Sequence, residues 1–168
     1  IDVSHHNKVD WKTVSEKTDI KFAFVKITEG SSFVDSKGKK NILEAERNGI
    51  KTGAYHFLTP RTSAKRQFDN FNRHYVRSAS LYPMVDVEMI KGTTKEKLNK
   101  LVKEYCLLVE DEYGVKPIIY TSPELYNMVF KPSKNFWKNY TFFIWNKFPK
   151  HPYKKTGLKR CIWQYDPG

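Results

Sequence analysis

The chain of 168 residues is 39% hydrophobic and 15% aromatic, with 8 Gly and 8 Pro. That composition suits one compact domain over residues 1–168 and excludes disorder, collagen-like repeats and a disulfide-framed miniprotein. No apolar run reaches the roughly 20 residues that span a bilayer, so membrane insertion is not expected. Thirty Lys and Arg against 18 Asp and Glu give a net charge of +12, which predicts a polyanionic partner.

Short apolar runs alternate with amphipathic stretches, the pattern of a β/α protein with a largely parallel sheet. Ile1-Asp2-Val3-Ser4-His5 reads as a first strand, Phe22-Ala23-Phe24-Val25-Lys26-Ile27 as a second and Gly53-Ala54-Tyr55-His56-Phe57-Leu58 as a third. Between the last two, residues 39–47 carry a helical pattern stopped by Asn48-Gly49. Thr62 is placed to cap a helix with the stripe Ala64, Phe68, Phe71 and Tyr75. Pro83-Met84-Val85-Asp86-Val87-Glu88 is the fourth strand. Thr93 and Glu96 form a capping box for the longest helix, which runs to Gly114. Pro117-Ile118-Ile119-Tyr120-Thr121 is the fifth strand, and Ser122-Pro123-Glu124 opens a short helix. Thr141-Phe142-Phe143-Ile144-Trp145 and Arg160-Cys161-Ile162-Trp163-Gln164-Tyr165 complete seven strands, with no helix expected between these two. The fold expected is α/β, an irregular barrel of mostly parallel strands, in which chemistry collects at the carboxyl ends of the strands.

Three groups of residues are candidates for chemistry there. Asp86 and Glu88, at i and i+2 on one strand, point to the same side. Paired acids in a cavity raise one another's proton affinity, which suits protonation of a leaving group near neutral pH. Asp2, set between Ile1 and Val3, needs a polar cavity and can join them if the sheet curls round. Aromatics near strand ends, Tyr55, His56, Phe57, Tyr120, Trp145, Trp163 and Tyr165, offer flat faces with polar tips, suited to the C–H faces and hydroxyl rims of sugars. Trp145 and Tyr120 sit best for a groove. His5 and His6 diverge as strand neighbours and lack a third ligand, so no metal is expected. Cys106 and Cys161 lie in apolar periodic segments and are expected to be structural, either two buried thiols, the favoured reading, or one disulfide, and not nucleophiles.

Asp2-Val3-Ser4-His5-His6-Asn7, Lys26-Ile27-Thr28-Glu29-Gly30, Gly53-Ala54-Tyr55-His56-Phe57, Asp86-Val87-Glu88, Tyr120-Thr121-Ser122 and Trp163-Gln164-Tyr165 occur in an order that resembles glycoside hydrolase family 25, the lysozymes of the bacterial and phage muramidase type. The resemblance covers nearly the whole chain. It implies a TIM-like (β/α)5β3 barrel, no cofactor, and hydrolysis of the β-1,4 bond between N-acetylmuramic acid and N-acetylglucosamine in peptidoglycan. By the same resemblance Glu88 is the general acid, Asp86 and Asp2 shape the acidic site, and Tyr55, His56, Phe57, Glu29, Tyr120, Trp145 and Gln164 are expected to bind substrate. Whether a carboxylate or the substrate's N-acetyl group attacks is left open, since both routes place an acid beside the leaving oxygen and negative charge beneath the ring. Family members carry a further aspartate on a later Val-Asp pair, whereas Asp166-Pro167-Gly168 follows the Trp-Gln-Tyr strand here.

The partners expected are peptidoglycan glycan strands, with anionic wall polymers attracted by charge. The expected location is secreted, extracellular or bound to the cell wall, and the expected state is monomeric. A competing reading is a peptidoglycan-binding module without turnover. A remoter one is a nucleic-acid-binding domain, disfavoured by the balance of 24 Lys to 6 Arg, because Arg supplies the planar fork that reads bases.

Overall fold

The structure is a computed structural model and describes residues 1–146, 156–158 and 161–164. The strands are β1 (Asp2–Val3), β2 (Phe22–Glu29), β3 (Phe33–Val34), β4 (Lys51–Phe57), β5 (Met84–Asp86), β6 (Ile118–Thr121), β7 (Phe142–Trp145) and β8 (Ile162–Gln164). Seven of them form one parallel sheet in the order β1-β2-β4-β5-β6-β7-β8, and β3 pairs antiparallel with β2. The helices are α1 (Trp11–Lys17), α2 (Gly38–Arg47), α3 (Ala64–His74), α4 (Lys95–Tyr113), α5 (Pro123–Leu125) and α6 (Lys134–Trp137), the last two joined by a π turn and a 3-10 turn. The expected α/β fold with mostly parallel strands is present as a curled sheet backed by helices.

Two local features differ from the sequence expectation, the caps of two helices and a short extra strand. The caps of α3 and α4 are Ser63 and Thr94 rather than Thr62 and Thr93, each accepting a hydrogen bond from a backbone N–H three residues on; adjacent hydroxyl residues make the register ambiguous in sequence. Helix α1 follows β1, in keeping with five β/α units, with the Asp10 carboxylate accepting from Lys12 N and Thr13 N. Strand β3 is two residues long, too short for any alternation to register. Of the region between β7 and β8, expected to lack a helix, residues 147–155 and 159–160 lie outside the described residues, as do Tyr165 and Asp166, while Thr156 is helical.

Strand alternation sorts the apolar residues into two layers. Val25, Ile27, Val85, Val87, Ile119 and Ile144 pack outward against the stripes of α3 and α4. Phe24, Tyr55, Met84, Ile118, Tyr120 and Phe143 fill the concave side. Gly53 makes that filling possible, since a Cβ there would stand 2.4 Å from the Phe24 ring. Across the curl, Gln164 Nε2 on β8 donates to Asp2 Oδ1 on β1 at 2.7 Å, so the two edge strands meet through side chains. Cys106 and Cys161 are both free thiols. Burial pushes the Cys106 thiol well above the usual range.

Candidate active site

The acidic residues assemble by strand parity. Asp2 pairs in register with Phe24, and Asp86 with Phe57 and Tyr120. Partners in register share a face, so Asp2 and Asp86 stand on the concave side, Asp2 beside Phe24 and Asp86 two positions beyond Met84. Beyond the end of β5, Val87 N donates to Tyr120 O at 2.9 Å and Thr121 Oγ1 donates to Val87 O at 2.8 Å. The backbone therefore stays extended for one more step and Glu88 returns to the side of Asp86.

A bulge supplies the fourth acid. The β2–β4 register shifts between Lys26 and Thr28, so Ile27 and Thr28 both face outward and Glu29 joins Lys26 on the inner side. Lys26 Nζ then reaches Glu29 Oε2 at 2.6 Å. The bulge is held from behind by the start of α2: a Cβ on Gly38 would stand 2.4 Å from Lys26 O.

The electrostatic consequences follow from burial and like charge. Asp86 is 6% exposed, and its Oδ1 has no hydrogen-bond partner among the described residues. Burial first, then the charges of Glu88 and Asp2, hold its carboxyl well above the usual range, with Lys26 opposing. Glu88 is exposed at the rim, yet loss of hydration on its inner side and the charge of Asp2 raise it as well, again against Lys26. The hydroxyls of Tyr55 and Tyr120 are driven upward by burial and by the same carboxylates. Such a pair shares protons as a unit, so an acid and a base can coexist at one pH. Gln164 orders the far wall: its Oε1 accepts from Tyr120 Oη at 2.8 Å while its Nε2 donates to Asp2, which fixes the amide orientation.

Of the residues expected from sequence, the concave side brings together Asp2, Asp86, Glu88, Glu29, Tyr55, Phe57, Tyr120, Trp145 and Gln164. Trp163, in register with the outward-facing Ile144, stands on the other side, and so does His56. It is 0% exposed, on the opposite face of β4, stacked on Tyr105 with ring centroids 5.1 Å apart. Gln67 Oε1 accepts from Thr59 N at 2.9 Å, so His56 Nε2 donates to the same oxygen and His56 Nδ1 accepts from Thr28 Oγ1. Burial lowers its pKa to about 4, and the neutral ring braces the bulge instead of touching a ligand. Its neighbour Tyr55 faces inward, and a single step along a strand makes that difference.

Sequence reasoning missed Lys26 as a site residue. Its ammonium lies 5.4 Å from the Phe33 ring centroid and 4.9 Å from that of Phe57, a cation clamped between aromatic faces beside the acids. The available signal was a lysine between Val25 and Ile27 in an otherwise apolar strand, with an acid three positions on. Among the described residues, no group of three or more His, Cys, Asp or Glu side chains has the geometry to hold a metal ion.

Comparison with known proteins agrees with this architecture. The uncharacterized protein YegX of Escherichia coli (strain K12) is 30% identical over 171 residues, covering 98% of this chain and 61% of its own length. The chain thus spans about three-fifths of that curated relative. A family 25 glycosyl hydrolase from Bacillus anthracis superposes with a TM-score of 0.87 at 28% identity, covering 98% of this chain and 77% of that one. The bacterial lysozyme from Streptomyces coelicolor gives a TM-score of 0.81 at 25% identity, over 98% of this chain and 82% of that one. The sequence model of glycosyl hydrolases family 25 matches residues 1–167, and the chain belongs to that family.

Proposed function

We propose that the protein is a peptidoglycan hydrolase of the muramidase type, cleaving the β-1,4 bond between N-acetylmuramic acid and N-acetylglucosamine. The observation that carries this reading is the buried, incompletely hydrogen-bonded Asp86 facing the same mouth as the accessible Glu88 and the oriented Asp2.

Glu88 is the general acid. It stands at the rim where a leaving oxygen can reach it, and loss of hydration on its inner side, with the charge of Asp2 added, keeps its proton in place to higher pH than an ordinary carboxyl. Asp86 and Asp2 lie deeper and supply negative charge on the sugar side, which stabilises an oxocarbenium-like transition state. Asp2 is the better fixed of the two, because the Gln164 amide holds one of its oxygens. Tyr120, Phe57 and Trp145 form walls with apolar faces and polar edges, compatible with pyranose rings. The net charge of +12 draws the protein to anionic wall polymers, a long-range attraction that weakens with salt.

The test is analysis of purified cell wall after digestion. New reducing ends on muramic acid from the wild-type protein, absent with Glu88→Gln, support the assignment. Reducing ends on glucosamine contradict the bond, and tight pelleting with wall but no new reducing ends identifies a binding module instead.

A further inference from the structure

A second built surface lies on the same rim, on the β1–β2–β3 side. After β1 the chain turns through Ser4 and His5, which are half-buried, and His6 and Asn7, which are exposed, yet the stretch is tied down. Asn7 N donates to Ser4 O at 3.0 Å, and Ser4 N donates to Asn7 Oδ1 at 2.9 Å. His5 is held more firmly still. Its backbone N–H and its ring Nδ1 both reach Asp35 Oδ2, at 2.8 and 2.9 Å, and the Asp35 side chain is fully buried. Lys37 N donates to the other oxygen of Asp35 at 2.9 Å, and Lys37 Nζ donates to the carbonyl of His5 at 2.6 Å. With Asp35 accepting at Nδ1, the ring's other nitrogen, Nε2, has no partner among the described residues and is the one left for a ligand.

Phe33 completes the surface. It is 42% exposed, although it sits on the short strand β3 that pairs with the end of β2. Asn70, buried beneath the turn, donates to Gly30 O at 3.1 Å and to Phe33 O at 3.0 Å, so the strand is fixed in place. The Phe33 and His5 ring centroids are 5.6 Å apart, and those of His5 and His6 are 3.9 Å apart. On its other flank Phe33 shares the Lys26 ammonium with Phe57, and Phe57 is the in-register neighbour of Asp86. A continuous run of rings therefore leads from the acidic centre to His5. Exposing a large apolar ring is unfavourable in water, and here it is presented on a pre-ordered support, which lowers the entropic cost of binding a flat ligand.

We propose that Phe33 and His5 form a saccharide subsite next to the acidic centre: the C–H face of a pyranose ring stacks on Phe33 while His5 Nε2 hydrogen-bonds a hydroxyl or acetamido group of that sugar. The proposal rests on the glycan reading above and deepens it. The subsite holds a residue beyond the two that flank the scissile bond, so it acts on glycan strands and not on a single disaccharide. Phe33 and His5 are binding residues and take no part in proton transfer.

The experiment is calorimetric titration with soluble, uncrosslinked peptidoglycan glycan strands of defined length, on a Glu88→Gln background so that the ligand survives. Phe33→Ala and His5→Ala are each expected to weaken binding of strands of four or more sugars by at least tenfold and to leave disaccharide binding within twofold. Phe33→Trp is expected to restore strand binding, which a merely structural role for the ring does not predict. Tyr82→Ala, which removes a 59% exposed aromatic outside this surface, serves as the control and is expected to have no effect. Circular dichroism melting of each variant separates lost binding from lost fold. If His5→Ala melts early, Phe33→Ala with its Trp rescue decides the matter. Strand binding by Phe33→Ala within twofold of its parent, or equal losses in Phe33→Ala and Tyr82→Ala, overturns the subsite. If the wild-type protein releases muramic reducing ends while Phe33→Ala binds strands normally, the subsite falls alone; if the parent binds no glycan and the wild type releases no ends, both readings fall.

Discussion

Glu46 and Asp86 are both carboxylates held by the fold, and the environment has made opposite things of them. Glu46, at the last turn of α2, accepts four hydrogen bonds at one oxygen: from Thr52 N and Oγ1 at 2.7 Å each, and from Ser80 N and Oγ at 3.0 and 2.8 Å. Partial burial pushes its carboxyl up, but those donors outweigh burial and hold it below the usual range. Asp86 has burial without the donors and with like charges added, and its carboxyl rises. The first is a fastening that ties α2 to β4 and to the loop before β5. The second is stored electrostatic stress at a mouth, the arrangement in which proton transfer becomes useful.

The contrast can be attacked directly. Its largest expected effect is on turnover: Glu88→Gln should reduce release of reducing ends by about 10²- to 10⁴-fold, the usual contribution of a positioned acid, with an unchanged circular dichroism spectrum. A loss below threefold removes Glu88 from the reaction. Glu46→Ala should lower stability by about 2 kcal/mol, because the buried donors of Thr52 are left unpaired, while activity at a temperature where the variant is folded stays at the wild-type level. Denaturant titration checks the first half and a wall-clearing assay the second.

Asp86→Asn should move stability the other way. The folded-state pKa of Asp86 lies above its unfolded value, so the folded protein holds this proton more tightly. Ionisation then costs stability progressively as pH rises from about 4, the unfolded value, through the raised one. Replacement by a neutral amide should therefore raise Tm at pH 7, and the gain should shrink toward pH 4. An equal gain at both pH values contradicts the burial account. The smallest effect expected is from Lys26→Met. Removing the cation that opposes the rise of Glu88 should shift the alkaline limb of the pH–rate profile to higher pH; a shift to lower pH, or none, shows that Lys26 does not act on the acid pair.

Much of this was legible in the residues themselves. Asp86 and Glu88 at i and i+2 behind Pro83-Met84-Val85 placed two acids on one face, and alternation in β4 had already separated Tyr55 from His56. The error over His56 came from treating a strand-end aromatic as a mouth residue without following that alternation. Lys26 was hidden by the bulge, and Glu29 was expected only through the family resemblance, because three positions on a regular strand point to opposite faces and only the extra outward residue reunites them. The Phe33 shelf escaped for a related reason. A two-residue strand has no periodicity, and the Asp35–His5 contact that stabilises its neighbour spans 30 positions, a tertiary fact that no local window contains.

The Gln164–Asp2 hydrogen bond joins residues 162 positions apart, and so it sets when the acid pocket comes into being during folding. Local β/α units can form early, but closing so long a loop costs entropy that is recovered only after the intervening strands are in line. Asp2 is therefore left unoriented, and the pocket unfinished, until the most distant strand has docked. A chain arrested before that step would have most of its secondary structure and none of its completed acidic mouth.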